Sequence, residues 1–303
     1  MKIVAEGLLF PEGPVAMADG SVILVEIARE TLSRVLPDGR IEVIANIPGG
    51  PNGAAVGPDG RMYVCNNGGF VWVREDGLLR PHGTPDTYKG GSIEVVDLAT
   101  GKVERLYDKV DGHDLSGPND LVFDAEGGFY FTDVGKRWPR HAARGMVYYA
   151  KADGSMIKEV VTAATTPNGI GLSPDGKTLY TAETDTGRVW AWDILGPGEL
   201  RKLPWPSPCG GRCIAGVGGY TRFDSLAVSA SGKVCAAALE NCSVIEVSLD
   251  GSHKSIAVPD LHVTNLCFGG KDMRTAWITG SYGGKLFKTQ WHEPGLRLNF
   301  QEI

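Results

Sequence analysis

At 303 residues with 42% hydrophobic side chains the chain has ample apolar material for a core, and its 42 glycines and 18 prolines imply many short connections. The 36 acidic residues outnumber the 30 basic ones for a net charge of −6, and no Lys/Arg cluster is present to track phosphates, which argues against a nucleic-acid partner. No apolar run approaches the ~18 residues of a membrane span, and Met1 to Gly7 lacks the apolar stretch of a signal peptide, so the expectation is a cytoplasmic protein with no membrane partner.

Along the chain, six turn-like triplets each introduce an apolar run, a second turn and a strand-like run. They are Pro11-Glu12-Gly13, Pro51-Asn52-Gly53, Pro118-Asn119-Asp120, Pro167-Asn168-Gly169, Phe223-Asp224-Ser225 and Thr264-Asn265-Leu266. The second triplet leads into Ala54-Ala55-Val56, a turn at Pro58-Asp59-Gly60 and a strand at 62–65. The third leads into Leu121-Val122-Phe123, a turn at 125–128 and a strand at 129–132. Short runs rich in Val, Ile, Tyr and Phe, punctuated by Asp-Gly and Gly-Gly, are hairpin signals. Further strands are expected at 70–73, 92–96, 188–192 and 243–247, so each unit holds about four strands, the size of one propeller blade. The expected fold is an all-β, six-bladed β-propeller with a central metal site, folded as a single domain over 1–303 with little helix.

The triplets are unevenly spaced, with insertions near 79–91, 136–144 and 196–220 that are expected to serve as lids or entrances. Cys65, Cys235 and Cys267 fall within strand-like runs and read as small buried hydrophobes. For Cys209 and Cys213, close together in a Pro/Gly-rich stretch, a local disulfide and an inert pair are both open.

A propeller brings equivalent positions of its repeats together at the axis. Glu12, Asn119, Asn168 and Asp224 then offer two carboxylates and two amide carbonyls, with no sulfur or imidazole among them. Such a set suits a hard divalent cation, calcium first, with zinc, manganese or magnesium as alternatives. A lone Pro-Asn-Gly would be no more than a turn. The weight comes from oxygen-bearing side chains recurring at one phase of separate repeats.

In Pro11-Glu12-Gly13-Pro14, Ser116-Gly117-Pro118-Asn119-Asp120-Leu121 followed by Phe131-Thr132-Asp133, Thr166-Pro167-Asn168-Gly169-Ile170 and Phe223-Asp224-Ser225-Leu226, the chain resembles the senescence marker protein/gluconolactonase family, which includes regucalcin and is related to diisopropyl fluorophosphatase and paraoxonase. The resemblance covers essentially the whole chain. It implies a six-bladed propeller whose divalent metal is held by Glu12, Asn119, Asn168 and Asp224, and an activity that opens a small-molecule lactone. It also implies that Asp224 doubles as the catalytic base for water. Hydrolysis of another ester or an organophosphate, and a binding propeller with a purely structural cation, are the alternatives.

Other candidates are substrate contacts or supports. Asn52 shares the column of triplets, and Asp120 follows Asn119 on the other side of an extended backbone, where it can orient the site or simply cap. His113 is a candidate proton shuttle at the entrance, weighed against a surface histidine without a role. Trp138 and Tyr282 are candidate walls, weighed against ordinary packing. Regucalcin-like sugar lactonases have an Arg where this chain has Gly117, so a sugar-hydroxyl or carboxylate anchor is missing there and a less polar lactone is expected to fit at least as well.

Overall fold

The computed structural model describes residues 1–302, and no helix occurs among them, so none is long and apolar enough to cross a membrane. The strands form six antiparallel blades. Their innermost strands are Pro11–Ala16, Pro51–Val56, Pro118–Phe123, Pro167–Leu172, Arg222–Val228 and Val263–Gly269, in blades 1 to 6. Each innermost strand touches the next, and the sixth touches the first, so the ring closes around an axial channel. Lys2–Glu6 supplies the outer strand of blade 6 by pairing with Lys285–Gln290, which joins the two ends of the chain in one sheet.

Apolar layers between blades hold the ring. Tyr63, Cys65 and Ile93 of blade 2 pack against Phe129, Phe131 and Tyr148 of blade 3. Across the closure, Leu24 and Val35 of blade 1 meet Trp277 and Leu286 of blade 6. Burying each such side chain contributes about 1.5–3 kcal/mol, so the blade interfaces dominate stability. All six cysteines are free, with Cys65, Cys235 and Cys267 buried within strands as expected. Cys209 is buried and Cys213 exposed, unbridged.

The triplets are not turns. They lie inside the innermost strands, and every one coincides with a register shift, for example between Glu12 and Val15 and between Pro118 and Leu121. A β-bulge re-aims a side chain and loosens the pairing locally, which is how one residue per blade is presented to the channel. The glycines in the triplets follow from close approach. A Cβ on Gly13 would sit 2.5 Å from the Asn52 carbonyl oxygen, and one on Gly53 would sit 2.5 Å from that of Asn119. Each glycine therefore makes room for the next blade's site residue.

The insertions also differ from expectation. The strand expected at 70–73 is not a blade strand, because Ser92–Val96 pairs with Met62–Asn66 and takes that place. Instead Trp72–Glu75 pairs with Leu78–Pro81 as a separate hairpin. Its end meets the blade 3 insertion, where the Thr84 hydroxyl donates to the Arg137 carbonyl at 2.7 Å. These two insertions wall the mouth of the channel. The third does not: it leads into the outer strand Arg212–Gly216 of blade 4, and none of its described residues lines the axial site.

Candidate active site

The mouth of the channel is a cavity of about 360 Å³ lined by Glu12, Asn52, Asn119, Asn168 and Asp224, one residue from each of five innermost strands. All four expected metal ligands are thus brought into one cavity, with Asn52 beside them. The sixth column residue, Asn265, serves Glu12: its amide Nδ2 donates to Glu12 Oε2 at 2.8 Å, and the Gly13 N–H donates to the same oxygen at 2.7 Å.

The unpaired atoms define what the cavity lacks. Asn119 Oδ1 is buried with no hydrogen-bond partner among the described residues. Asn168 donates its Nδ2 to Thr184 Oγ1 at 3.1 Å, and its Oδ1 has only a long 3.5 Å contact from the Ser225 hydroxyl. An orphaned buried acceptor is costly unless something positive reaches it. Burial pushes the Glu12 carboxyl up to about 7. Burial, then the charge of Glu12, holds the Asp224 carboxyl well above the usual carboxylate range. Two crowded carboxyls and two amide oxygens with free lone pairs fit a hard divalent cation, whose charge would reverse both shifts.

The remaining candidates lie elsewhere. Asp120 is buried but faces a smaller cavity of about 70 Å³ at the opposite end, where its Oδ1 accepts the Leu121 N–H at 2.9 Å. Burial, then the Glu12 charge, pushes its carboxyl up to about 8. His113 is exposed on a short ribbon in which it pairs with Val110, and it does not line the large cavity. Trp138 stacks on His141 with ring centres 4.6 Å apart and also stays outside the cavity wall. Tyr282 stacks on His262 at 5.0 Å, and it is His262 that reaches the cavity.

The cavity also has residues that the sequence reading did not single out. Arg80, Lys136, Arg137 and Arg222 line it with Asp185 and Glu240. Arg222 pairs with Glu240 at 3.0 Å and lies 3.9 Å from Asp185, which also meets Arg137. Arg80 pairs with Glu75 at 3.2 Å. Charged residues scattered over strand ends and turns of different blades leave no motif, so only the assembled ring reveals them. At position 117 a Cβ would approach the Gly135 carbonyl oxygen to 2.6 Å, so the backbone itself excludes an arginine there. A second group, Glu246, His292 and Glu293, has ligand atoms within 4.8 Å of one another. Glu246 is already paired with Lys233 at 3.3 Å and Lys254 at 3.0 Å, which meets its charge without an ion.

The fold and cavity define a six-bladed β-propeller with an axial site of carboxylate and amide oxygens. The chain matches the SMP-30/gluconolactonase/LRE-like region over residues 10–282 and belongs to that family. Among its sequence relatives, lactonase drp35 of Staphylococcus saprophyticus is 30% identical over 200 residues, covering 65% of this chain and 55% of that protein. The gluconolactonase of Zymomonas mobilis is 24% identical over 218 residues, 64% of this chain and 55% of that one. The chain thus spans about half the length of these relatives. Among solved structures, a gluconolactonase of Xanthomonas campestris superposes with a TM-score of 0.74 at 22% identity, over 95% of this chain and 88% of that one. Regucalcin of Agrobacterium tumefaciens, a calcium-binding protein, gives 0.75 at 19% identity, over 98% and 97%. At those identities the structures attest the fold.

Proposed function

We propose that the protein is a metal-dependent lactonase, with Glu12, Asn119, Asn168 and Asp224 as the ligands of one divalent cation, calcium by preference. The observation that carries this reading is the shared cavity of these four residues, with the orphaned Asn119 Oδ1 turned to no protein partner. The lactonase and gluconolactonase names of the sequence relatives, and the calcium-binding description of the regucalcin, support it.

A bound divalent cation supplies Lewis-acid polarisation of a carbonyl and stabilisation of developing negative charge. The chain's residues do the rest. Asp224 accepts the proton of the attacking water, whose oxygen bonds to the lactone carbonyl carbon. The ring C–O bond then breaks and its oxygen takes a proton, so that at neutral pH one hydroxy-carboxylate and one proton leave per turnover. Glu12 is held in one orientation by the Gly13 N–H and the Asn265 amide, and Asn168 by Thr184, so the site needs little rearrangement when a substrate enters. Asn52 offers amide donors to the ring substituents.

The test is proton release from a panel of γ- and δ-lactones by metal-stripped protein to which Ca²⁺, Mg²⁺, Mn²⁺ or Zn²⁺ is restored. Turnover that requires a restored cation is expected. Absence of turnover with every lactone and every cation overturns the proposal.

A further inference from the structure

We propose that the substrate carries a carboxylate besides its lactone ring, and that the ammonium of Lys136 receives it. The inference rests on the lactonase reading for the ring and on the charges of the cavity wall for the acid.

The three arginines of the wall each have a carboxylate partner: Arg80 has Glu75, Arg137 has Asp185 and Arg222 has Glu240. Glu12 and Asp224 would balance a divalent cation. Lys136 is left over. It lines the same cavity and is 3% exposed, yet no carboxylate lies within ion-pair distance of it among the described residues; the buried Asp133 carboxylate acts on it from farther away, its oxygens taken up by the N–H groups of Ser116, Gly117 and Gly135. Its Nζ donates to two neutral acceptors, the Gly69 carbonyl at 2.6 Å and Asn67 Oδ1 at 3.3 Å. Two of the three ammonium protons are thereby used. The faces of Phe70 and Tyr88 flank it, with ring centres 4.3 and 5.3 Å from Nζ.

A buried ammonium without a contacting counter-charge is expensive, and burial brings Lys136 down to about 7 even though the Asp133 charge works against that fall. The surroundings nonetheless suit the charged form, since both acceptors and both ring faces favour a cation. The mount is firm as well: the Lys136 carbonyl accepts the Ala143 N–H at 2.8 Å, and the Gly135 N–H is held by Asp133 at 2.8 Å. What the arrangement lacks is an anion in direct contact with the ammonium, and the cavity beside it is where a ligand enters. A cyclic ester of a hydroxy-dicarboxylic acid supplies both a ring carbonyl for the axial site and a second carboxylate for Lys136. The anchor that Gly117 cannot provide is in this way supplied from the blade 3 insertion, and the expectation of a less polar lactone gives way to an anionic one.

The experiment compares γ-butyrolactone-γ-carboxylate with γ-valerolactone, which has a methyl group in place of the acid, on the metal-restored wild type and on Lys136→Met and Lys136→Arg. A charge-assisted contact predicts a preference of about tenfold or more in kcat/KM for the acid, carried by KM. Lys136→Met should erase it while altering γ-valerolactone less than about twofold, and Lys136→Arg should restore part of it. Equal use of the two lactones by the wild type, or equal losses on both in Lys136→Met with an unchanged melting temperature, overturns the proposal. If no lactone is turned over at all, the hydrolase reading has failed and the charge claim stands on calorimetry with the ring-opened acid, 2-hydroxyglutarate. Binding that weakens about tenfold in Lys136→Met supports the claim, and equal or absent binding in the two proteins sinks it.

Discussion

The two ends of the axial channel are made by the same innermost strands. At one end Glu12, Asn52, Asn119, Asn168 and Asp224 surround about 360 Å³. At the other, later residues of those strands, among them Ala54, Leu121, Ile170 and Leu226, surround about 70 Å³. The closing segment of the chain covers the small end: the Leu296 N–H donates to the Val228 carbonyl at 2.9 Å, and the Gln301 amide donates to the Phe268 carbonyl at 3.2 Å. Asp120 sits at the apolar end, one residue from Asn119 at the polar one. The contrast teaches that strand parity and one bulge per blade, rather than residue type, decide which oxygen is available to a ligand.

Asp224→Asn and Asp120→Asn test that contrast most severely. Metal-restored turnover should fall about 10³-fold in the first and less than about tenfold in the second, as expected when only one carboxylate meets the reacting atoms. Comparable losses would erase the distinction between the two ends.

Gly53→Ala acts on the ring that both ends share. With the Asn119 carbonyl oxygen 2.5 Å from the added methyl, chemical denaturation should show a loss of about 3 kcal/mol, at the upper end of overpacking costs. An unchanged midpoint would mean that neighbouring blades approach less closely than described.

A smaller effect concerns pH. In the metal-free protein Glu12 is raised from 4.5 to about 7 and Asp120 from 3.8 to about 8, so the folded chain holds protons that the unfolded chain releases. Stability should therefore fall as pH rises from about 5 towards 8. Asp120→Asn, which keeps an oxygen to accept the Leu121 N–H, should flatten that decline and be the more stable protein at pH 8, with little difference at pH 5. Melting curves of the stripped proteins at the two pH values check the sign. A decline as steep in the variant as in the wild type would show that Asp120 takes no part.

Much of this was legible in the chain. Six matched triplets revealed six blades, and the hard-oxygen side chains Glu12, Asn119, Asn168 and Asp224 pointed to one cavity. The reason for their form was not legible: Pro-Asn-Gly read as turn chemistry, whereas Gly13 and Gly53 answer to the backbone of the next blade, a contact far away in sequence. His113 looked close to the site because it precedes Asn119 along the chain, and Trp138 because it lies in the insertion after Asp133, but each is taken up in a short ribbon and neither lines the cavity. Lys136 had no pattern to mark it, since what sets it apart is a buried ammonium in the cavity wall without an ion pair.

The central claim is that four oxygen-bearing side chains hold a single cation, and calorimetric titration of Ca²⁺ into the metal-stripped protein tests it most directly. One ion per chain should bind, and Asn119→Ala, which removes the orphaned acceptor, should weaken binding about tenfold or more. No detectable heat with calcium, magnesium, manganese or zinc, or an affinity untouched in Asn119→Ala, would contradict the account.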